Sequence, residues 1–216
     1  MESRLTAKME LALRDAIAGI GKLPGSLLSL AGMSGRKYRL FVNNLMGLLD
    51  DPRYLEVGIL TGSTLCAAIF GNRVAVTAIE NWSQFGAPKQ QFQANLARYQ
   101  GVECDVSIIE RDFREVDFSA IGKFNVYLYD GPHGLQDQRD GIERALPALE
   151  KEFVLIVDDW NWRQVREGTL AALHDLGLQV AFRAEIRTTL DNSHGTLAGP
   201  AGDWHNGYFL ASLVRA

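Results

Sequence analysis

From Arg53 onward, short runs rich in Val, Ile and Leu alternate with longer amphipathic stretches, and this limits the folds open to the chain. The runs at 54–57, 74–79, 105–109, 125–129 and 153–157 have strand length, while 63–70, 87–100, 135–149 and 163–176 carry helical spacing. Two more strands are expected at about 178–188 and 207–214. Strands joined through helices pair in parallel, and strands buried on both faces are apolar nearly throughout. The expectation is an α/β, Rossmann-like sheet of seven strands. It is mostly parallel with helices on both faces, and its last strand is antiparallel. Such sheets bind ligands beyond the carboxyl ends of their strands, near the point where strand order reverses.

Each of the first five strands runs out into an acid: Glu56, Glu80, Asp112, Asp130, and the pair Asp158 and Asp159. Acids are poor strand formers, and one or two would be caps or solvated turns. Five on one edge of a sheet point to a shared ligand site. The first end is the stretch R-Y-L-E-V-G-I-L-T-G-S-T-L from Arg53 to Leu65. Its glycines let the backbone approach a ligand, and the helix that follows begins with unpaired N–H groups. The dinucleotide fingerprint G-x-G-x-x-G is absent, because Leu60 stands at its second glycine and there is no third. Glu56 would repel a pyrophosphate and attract an ammonium or a sulfonium. The expected ligand is cationic at one end, which argues against a nicotinamide dehydrogenase.

Strands four and five are expected to be neighbours, about 4.8 Å apart. That would bring Asp130, Asp158 and Asp159 together. Clustered carboxylates repel without a counter-charge, and all-oxygen donors suit Mg²⁺, Mn²⁺ or Ca²⁺. Consecutive strand residues face opposite sides, so Asp158 and Asp159 both reach one cation only if the strand ends there and turns. Asp159 or Asn161 capping the next helix is the alternative. His133, three residues after Asp130, is either a general base near neutral pH or a loop histidine bonded locally. The long connection 190–206 would lie on the same edge if the last strand is antiparallel. Trp204 and His205 would then help shape a substrate pocket, the alternative being a mobile surface loop.

Residues 1–50 precede the alternating pattern and are expected as an N-terminal helical extension to a domain at 51–216. Residues 3–20 place Leu5, Met9, Ala12, Leu13, Ala16, Ile17 and Ile20 at helical spacing. Ser34 would cap a second helix reaching about Leu49, with Tyr38, Phe41, Val42, Leu45 and Leu48 as its apolar stripe. The extension would pack on the domain, on a second subunit, or over the site as a lid, which leaves a homodimer open. A net charge of −4 gives no basic footprint for nucleic acid. Cys66 and Cys104 have no metal or redox spacing and suit a reduced, cytoplasmic setting. No run approaches the ~18 apolar residues of a membrane span, and the charged N-terminus has no apolar signal core.

The motif E-x-G-x-x-x-G at Glu56, Gly58 and Gly62, the acid ending strand two, Asp112-Phe113, Asp130-x-x-His133 and Asp158-Asp159 together carry a resemblance. Across about 36–214 the chain resembles class I S-adenosylmethionine-dependent methyltransferases. It looks most like the metal-dependent O-methyltransferases of the catechol and caffeoyl-coenzyme A type, and related bacterial enzymes acting on hydroxyls of sugars and antibiotics. The resemblance implies Glu56 and Gly58 beside the methionine end of S-adenosylmethionine, and Thr61, Gly62 and Ser63 at its carboxylate. It implies Glu80 on the ribose hydroxyls, and Trp82 over the adenine or else in the core. Asp112 would accept from the adenine amino group, or else cap a turn, with Phe113 against the ring. Asp130, Asp158 and Asp159 would bind the divalent cation, Mg²⁺ first among the candidates; the families commonly have Asn at the third place. His133 stands where the catechol-type enzymes carry a lysine base. The implied activity is methylation of a small-molecule hydroxyl, with Asp130 and His133 at the reacting oxygen. Metal-free methylation of nitrogen or a carboxylate, or cofactor binding without catalysis, remain as alternatives.

Overall fold

In the computed structural model, which describes residues 4–215, the apolar runs become β1 (Arg53–Val57), β2 (Val74–Ile79), β3 (Cys104–Ile109), β4 (Phe124–Tyr129), β5 (Leu149–Val157), β6 (Gln179–Ile186) and β7 (Tyr208–Val214). They form one sheet in the order β3-β2-β1-β4-β5-β7-β6. The first five strands are mutually parallel, and β7 runs antiparallel between β5 and β6. Strand order reverses between β1 and β4, so the crevice expected of such sheets opens at the carboxyl ends of these two.

The helices are α1 (Arg4–Ile17), α2 (Gly25–Leu28), α3 (Arg36–Leu48), α4 (Ser63–Ile69), α5 (Lys89–Tyr99), α6 (Leu135–Ala145) and α7 (Arg163–Asp175). Alternate strand residues sort onto two faces. Tyr54, Val126 and Ile156 join Met9, Phe41, Ile69 and Phe92 in one buried cluster, so α1, α3, α4 and α5 cover that face. Leu55, Tyr127 and Leu155 join Ile142, Val165 and Leu173 on the other, under α6 and α7. Burying a side chain such as Phe41 contributes roughly 2 kcal/mol, and this fastens the N-terminal helices to the sheet. A buried hydroxyl pair, Thr6 Oγ1 and Ser212 Oγ at 2.8 Å, ties α1 to β7. Among the described residues no helix is long and apolar enough to cross a membrane.

Several boundaries differ from expectation. Residue 3, where the first helix was expected to begin, and residue 216 lie outside the described residues. α1 stops at Ile17, before the turn in which Gly19 takes φ 73°. Ser34 does not cap α3. Gly35 takes that place, and the N–H groups of Arg36, Lys37 and Tyr38 find the carbonyls of Gly202 and Asp203. α6 gives way at Ala145 to a 3₁₀ turn containing Pro147, which has no N–H to continue the α-helical ladder. β5 begins four residues early, at Leu149.

Candidate active site

β1 ends in the tight turn on which the site is built. Gly58 sits at φ 88°, and a side chain there would collide with the carbonyl of Asp130. Only glycine lets β1 and β4 close to this distance. Gly62, at φ 79°, packs its bare Cα against the Phe92 ring. Thr61 gives its hydroxyl to Ala31 and takes the Asn95 amide on its carbonyl, at 2.7 and 2.8 Å. Beyond the turn lies a cavity of about 630 Å³. Glu56, Gly58, Ser63, Glu80, Trp82, Asp112, Phe113, Asp130, His133, Asp158 and Asp159 line it, whereas Thr61 and Gly62 do not. Glu56 is 1% exposed and one of its oxygens has no partner among the described residues. Burial pushes its carboxyl up to about 8, against the pull of the Tyr54 hydroxyl. A group in that state gains from an ammonium or sulfonium beside it.

The acids of β2 and β3 are occupied differently. Glu80 Oε2 accepts from Ile59 N (2.9 Å) and Leu60 N (3.1 Å), and Oε1 from Asn81 N (2.8 Å) and Trp82 N (2.7 Å). A carboxylate offers about four lone-pair positions, and these N–H groups take them. Glu80 therefore clamps the glycine turn to the loop after β2, and ribose hydroxyls would have to share its oxygens with the backbone. Trp82 is both buried and on the cavity wall. Its indole N–H reaches Leu60 O at 3.3 Å, and its ring packs on Phe92 at 5.7 Å. Asp112 caps the 3₁₀ turn Phe113–Glu115 through Arg114 N at 2.9 Å and pairs with the Arg114 guanidinium. Phe113 meets Tyr129 edge-on at 5.6 Å.

At the ends of β4 and β5 the acids face one another. β5 stops at Val157 and Asp159 turns at φ 57°, which lets Asp158 and Asp159 both reach the cavity. Burial, Asp158 and Asp159 raise the Asp130 carboxyl well above the usual range; burial and Asp159 do the same to Asp158. One buried oxygen of Asp158, Oδ1, has no hydrogen-bond partner among the described residues. Asp159 is better supplied, with Asn206 Nδ2 at 2.9 Å from Oδ1 and His133 Nε2 at 3.2 Å from Oδ2. Neither Asp159 nor Asn161 caps α7. Trp162 holds the capping place without a side-chain bond, and Asn161 instead bonds Thr188 and Asn206. Asp130 and Asp158 thus form an all-oxygen pair short of positive charge, the donor set a hard divalent cation suits.

His133 Nε2 also lies 3.8 Å from Asp130 Oδ1, and its Nδ1 is buried without a partner. Burial lowers the imidazole's pKa, with Asp159 opposing, so the neutral ring is favoured. The antiparallel β7 places the loop before it on the carboxylate edge, as its direction required. His205 and His194 line the cavity with Trp162, while Trp204 packs on Tyr208 at 6.4 Å outside it. His194 and Trp162 were not singled out in the sequence, although a histidine in that loop was a signal to hand. Asp159, His194 and His205 bring ligand atoms within 4.8 Å of one another. His205 Nδ1, however, accepts from Gly199 N at 2.9 Å, and burial holds this imidazole down to about 4. The neutral ring then carries its hydrogen on Nε2, which makes it a donor and a poor metal ligand.

No family model matches the chain, and no curated protein matches it by sequence. Among solved structures it is similar to cofactor-bound Rv0187 from MTB, at 19% identity and a TM-score of 0.58, over 99% of this chain and 90% of that one. The O-methyltransferase TomG of Streptomyces achromogenes, involved in tomaymycin synthesis and solved with SAM, is 17% identical with a TM-score of 0.56, over 100% and 92%. An O-methyltransferase from Bacillus cereus in complex with SAH is 13% identical at 0.54, over 97% and 91%. The fold is that of the class I S-adenosylmethionine-dependent methyltransferases.

Proposed function

We propose that this protein transfers the methyl group of S-adenosylmethionine to a hydroxyl on a small molecule, with a divalent cation beside the reacting oxygen. Asp130 and Asp158 carry this reading: a half-buried and a fully buried carboxyl, both raised by desolvation and like charge, at the carboxyl ends of β4 and β5 in a methyltransferase-type sheet. They would hold the cation. Asp159 would add a third oxygen on releasing His133 or Asn206. When bound, the cation would make a neighbouring hydroxyl more acidic.

The residues of the chain supply position and proton transfer. Glu56 faces the cofactor's cationic methionine end. The turn at Gly58, Thr61, Gly62 and Ser63 sets the distance to that end, and Glu80 keeps the turn in place. Trp82 and Phe113 give apolar walls for the adenine, with Asp112 at its rim. His133 would accept the acceptor's proton at Nε2, the ring nitrogen facing the carboxylates, which requires the tautomer with hydrogen on Nδ1. Holding the two reacting groups in line provides much of the rate. A metal-free transfer is the second reading, favoured by Asp159, whose Oδ1 already accepts from Asn206 and whose Oδ2 lies 3.2 Å from His133 Nε2.

Labelled S-adenosylmethionine offered with a panel of hydroxyl-bearing acceptors tests the proposal, after exhaustive metal removal. Turnover should vanish in chelator and return with Mg²⁺ or Mn²⁺. Full activity in excess chelator would favour the metal-free reading, and cofactor binding without transfer to any acceptor would point to a binding protein.

A further inference from the structure

Arg39 of α3 is fully buried, and no carboxylate pairs with it among the described residues. Its Nη1 donates to the carbonyls of Leu27 (2.9 Å), Leu28 (3.2 Å) and Leu30 (2.8 Å), and its Nε to Ser34 Oγ (2.9 Å). Nη2 has no partner. Burying a cation against neutral oxygens alone is costly. Burial draws its pKa down to about 10, which leaves it charged at neutral pH.

Ser34 Oγ lies 2.8 Å from Ser63 Oγ, and both side chains are buried. A guanidinium only donates, so the Ser34 oxygen accepts from Arg39. Among the described residues no other acceptor reaches the Ser34 hydroxyl, so its hydrogen is assigned to Ser63. Ser63 receives that bond and keeps its own hydrogen for the cavity it lines. Such a chain is polarised along its length by the charge at its head. Two further contacts hold residues 31–34 against the glycine turn. The Thr61 hydroxyl donates to Ala31 O, and a side chain on Gly32 would collide with Ser63.

We infer that Arg39 is a positioning residue for a carboxylate in this cavity, acting through Ser34 to present the Ser63 hydroxyl as a donor. The inference rests on the cavity being the cofactor site, where the carboxylate is that of the methionine moiety. The N-terminal segment is then part of cofactor recognition. The uncompensated cation acquires its counter-charge when the ligand arrives.

Calorimetric titration with two ligands separates this role from a structural one. S-adenosylhomocysteine carries the carboxylate, while S-adenosyl-3-thiopropylamine keeps the amino group and lacks it. Ser34→Ala should weaken the first by about tenfold, the loss of one charge-assisted hydrogen bond, and leave the second unchanged. Arg39→Met, where circular dichroism shows it folded, should do the same or more. Equal weakening of both ligands, or of neither, would overturn the inference and leave Arg39 as a staple for residues 27–30. Equal affinity of the wild type for the two ligands would overturn it as well. A wild type that binds neither would remove the cofactor reading itself, a result distinct from the others.

Discussion

The two halves of the sheet's carboxyl edge use the same residue type in opposite ways. Beyond β2 and β3, Glu80 and Asp112 are consumed by the backbone: Glu80 accepts four N–H groups, and Asp112 caps a turn while pairing with Arg114. Beyond β4 and β5, Asp130 and Asp158 have one another for neighbours, and a buried oxygen of Asp158 has no hydrogen-bond partner among the described residues. Acids of the first kind build the loops that shape a site. Those of the second kind store unfavourable charge that a ligand can relieve. Whether an acid at a strand end is taken up by the backbone or left facing other acids is not revealed by its position in the chain.

The contrast is sharpest in mutants that move stability and activity in opposite directions. Asp130→Asn should lower cation-dependent turnover roughly a thousandfold, since a Lewis-acidic cation contributes several kcal/mol at the transition state. In the absence of ligands the same change should raise the melting temperature, because the folded state no longer has to desolvate or protonate a carboxyl beside Asp158 and Asp159. A stabilised variant with full activity would refute the division. Glu80→Ala should act oppositely, removing about 3 kcal/mol of folding stability because four backbone donors lose a charged acceptor. Chemical denaturation measures this, and an unchanged midpoint would show that Glu80 clamps nothing.

Glu56 falls between the two kinds, and pH exposes it. Its folded pKa of about 8 lies above the ordinary 4.5. The folded chain binds the extra proton between those values, so stability should fall as pH rises through that window. Glu56→Gln should flatten this part of the ligand-free profile, the gap from wild type widening toward pH 8. A gap that is constant with pH would place an ionised Glu56 in the fold. The smallest effect is expected at Asp112→Ala, about 1 kcal/mol for loss of a cap, read from the same denaturation curves.

The sheet was legible because its periodicities are local. The Val, Ile and Leu runs of β1, β2 and β4 carry their burial in their own composition. The start of β5 was not legible, because Glu150, Lys151 and Glu152 look polar, while Leu149 pairs with Phe124 of β4 and Glu152 with Val214 of β7. The same divide separates the site residues. The line-up of acids was visible along the chain, as was the condition that Asp158 and Asp159 share a side only where the strand turns. Their partners were not. Asn206 reaches Asp159 across 47 residues, Ile59 and Leu60 reach Glu80 across about 20, and Ser34 gives up its expected capping role to meet Ser63, 29 residues on. Hydrogen bonds over such separations are set by packing, which neither spacing nor propensity encodes.

Titration of the metal-free protein with Mn²⁺, followed by electron paramagnetic resonance, tests the central claim most directly. One Mn²⁺ should bind the wild type, and binding should be lost in both Asp130→Asn and Asp158→Asn while Asp112→Asn binds as wild type. Absence of binding to the wild type, or binding unchanged by either substitution at Asp130 or Asp158, would contradict the account.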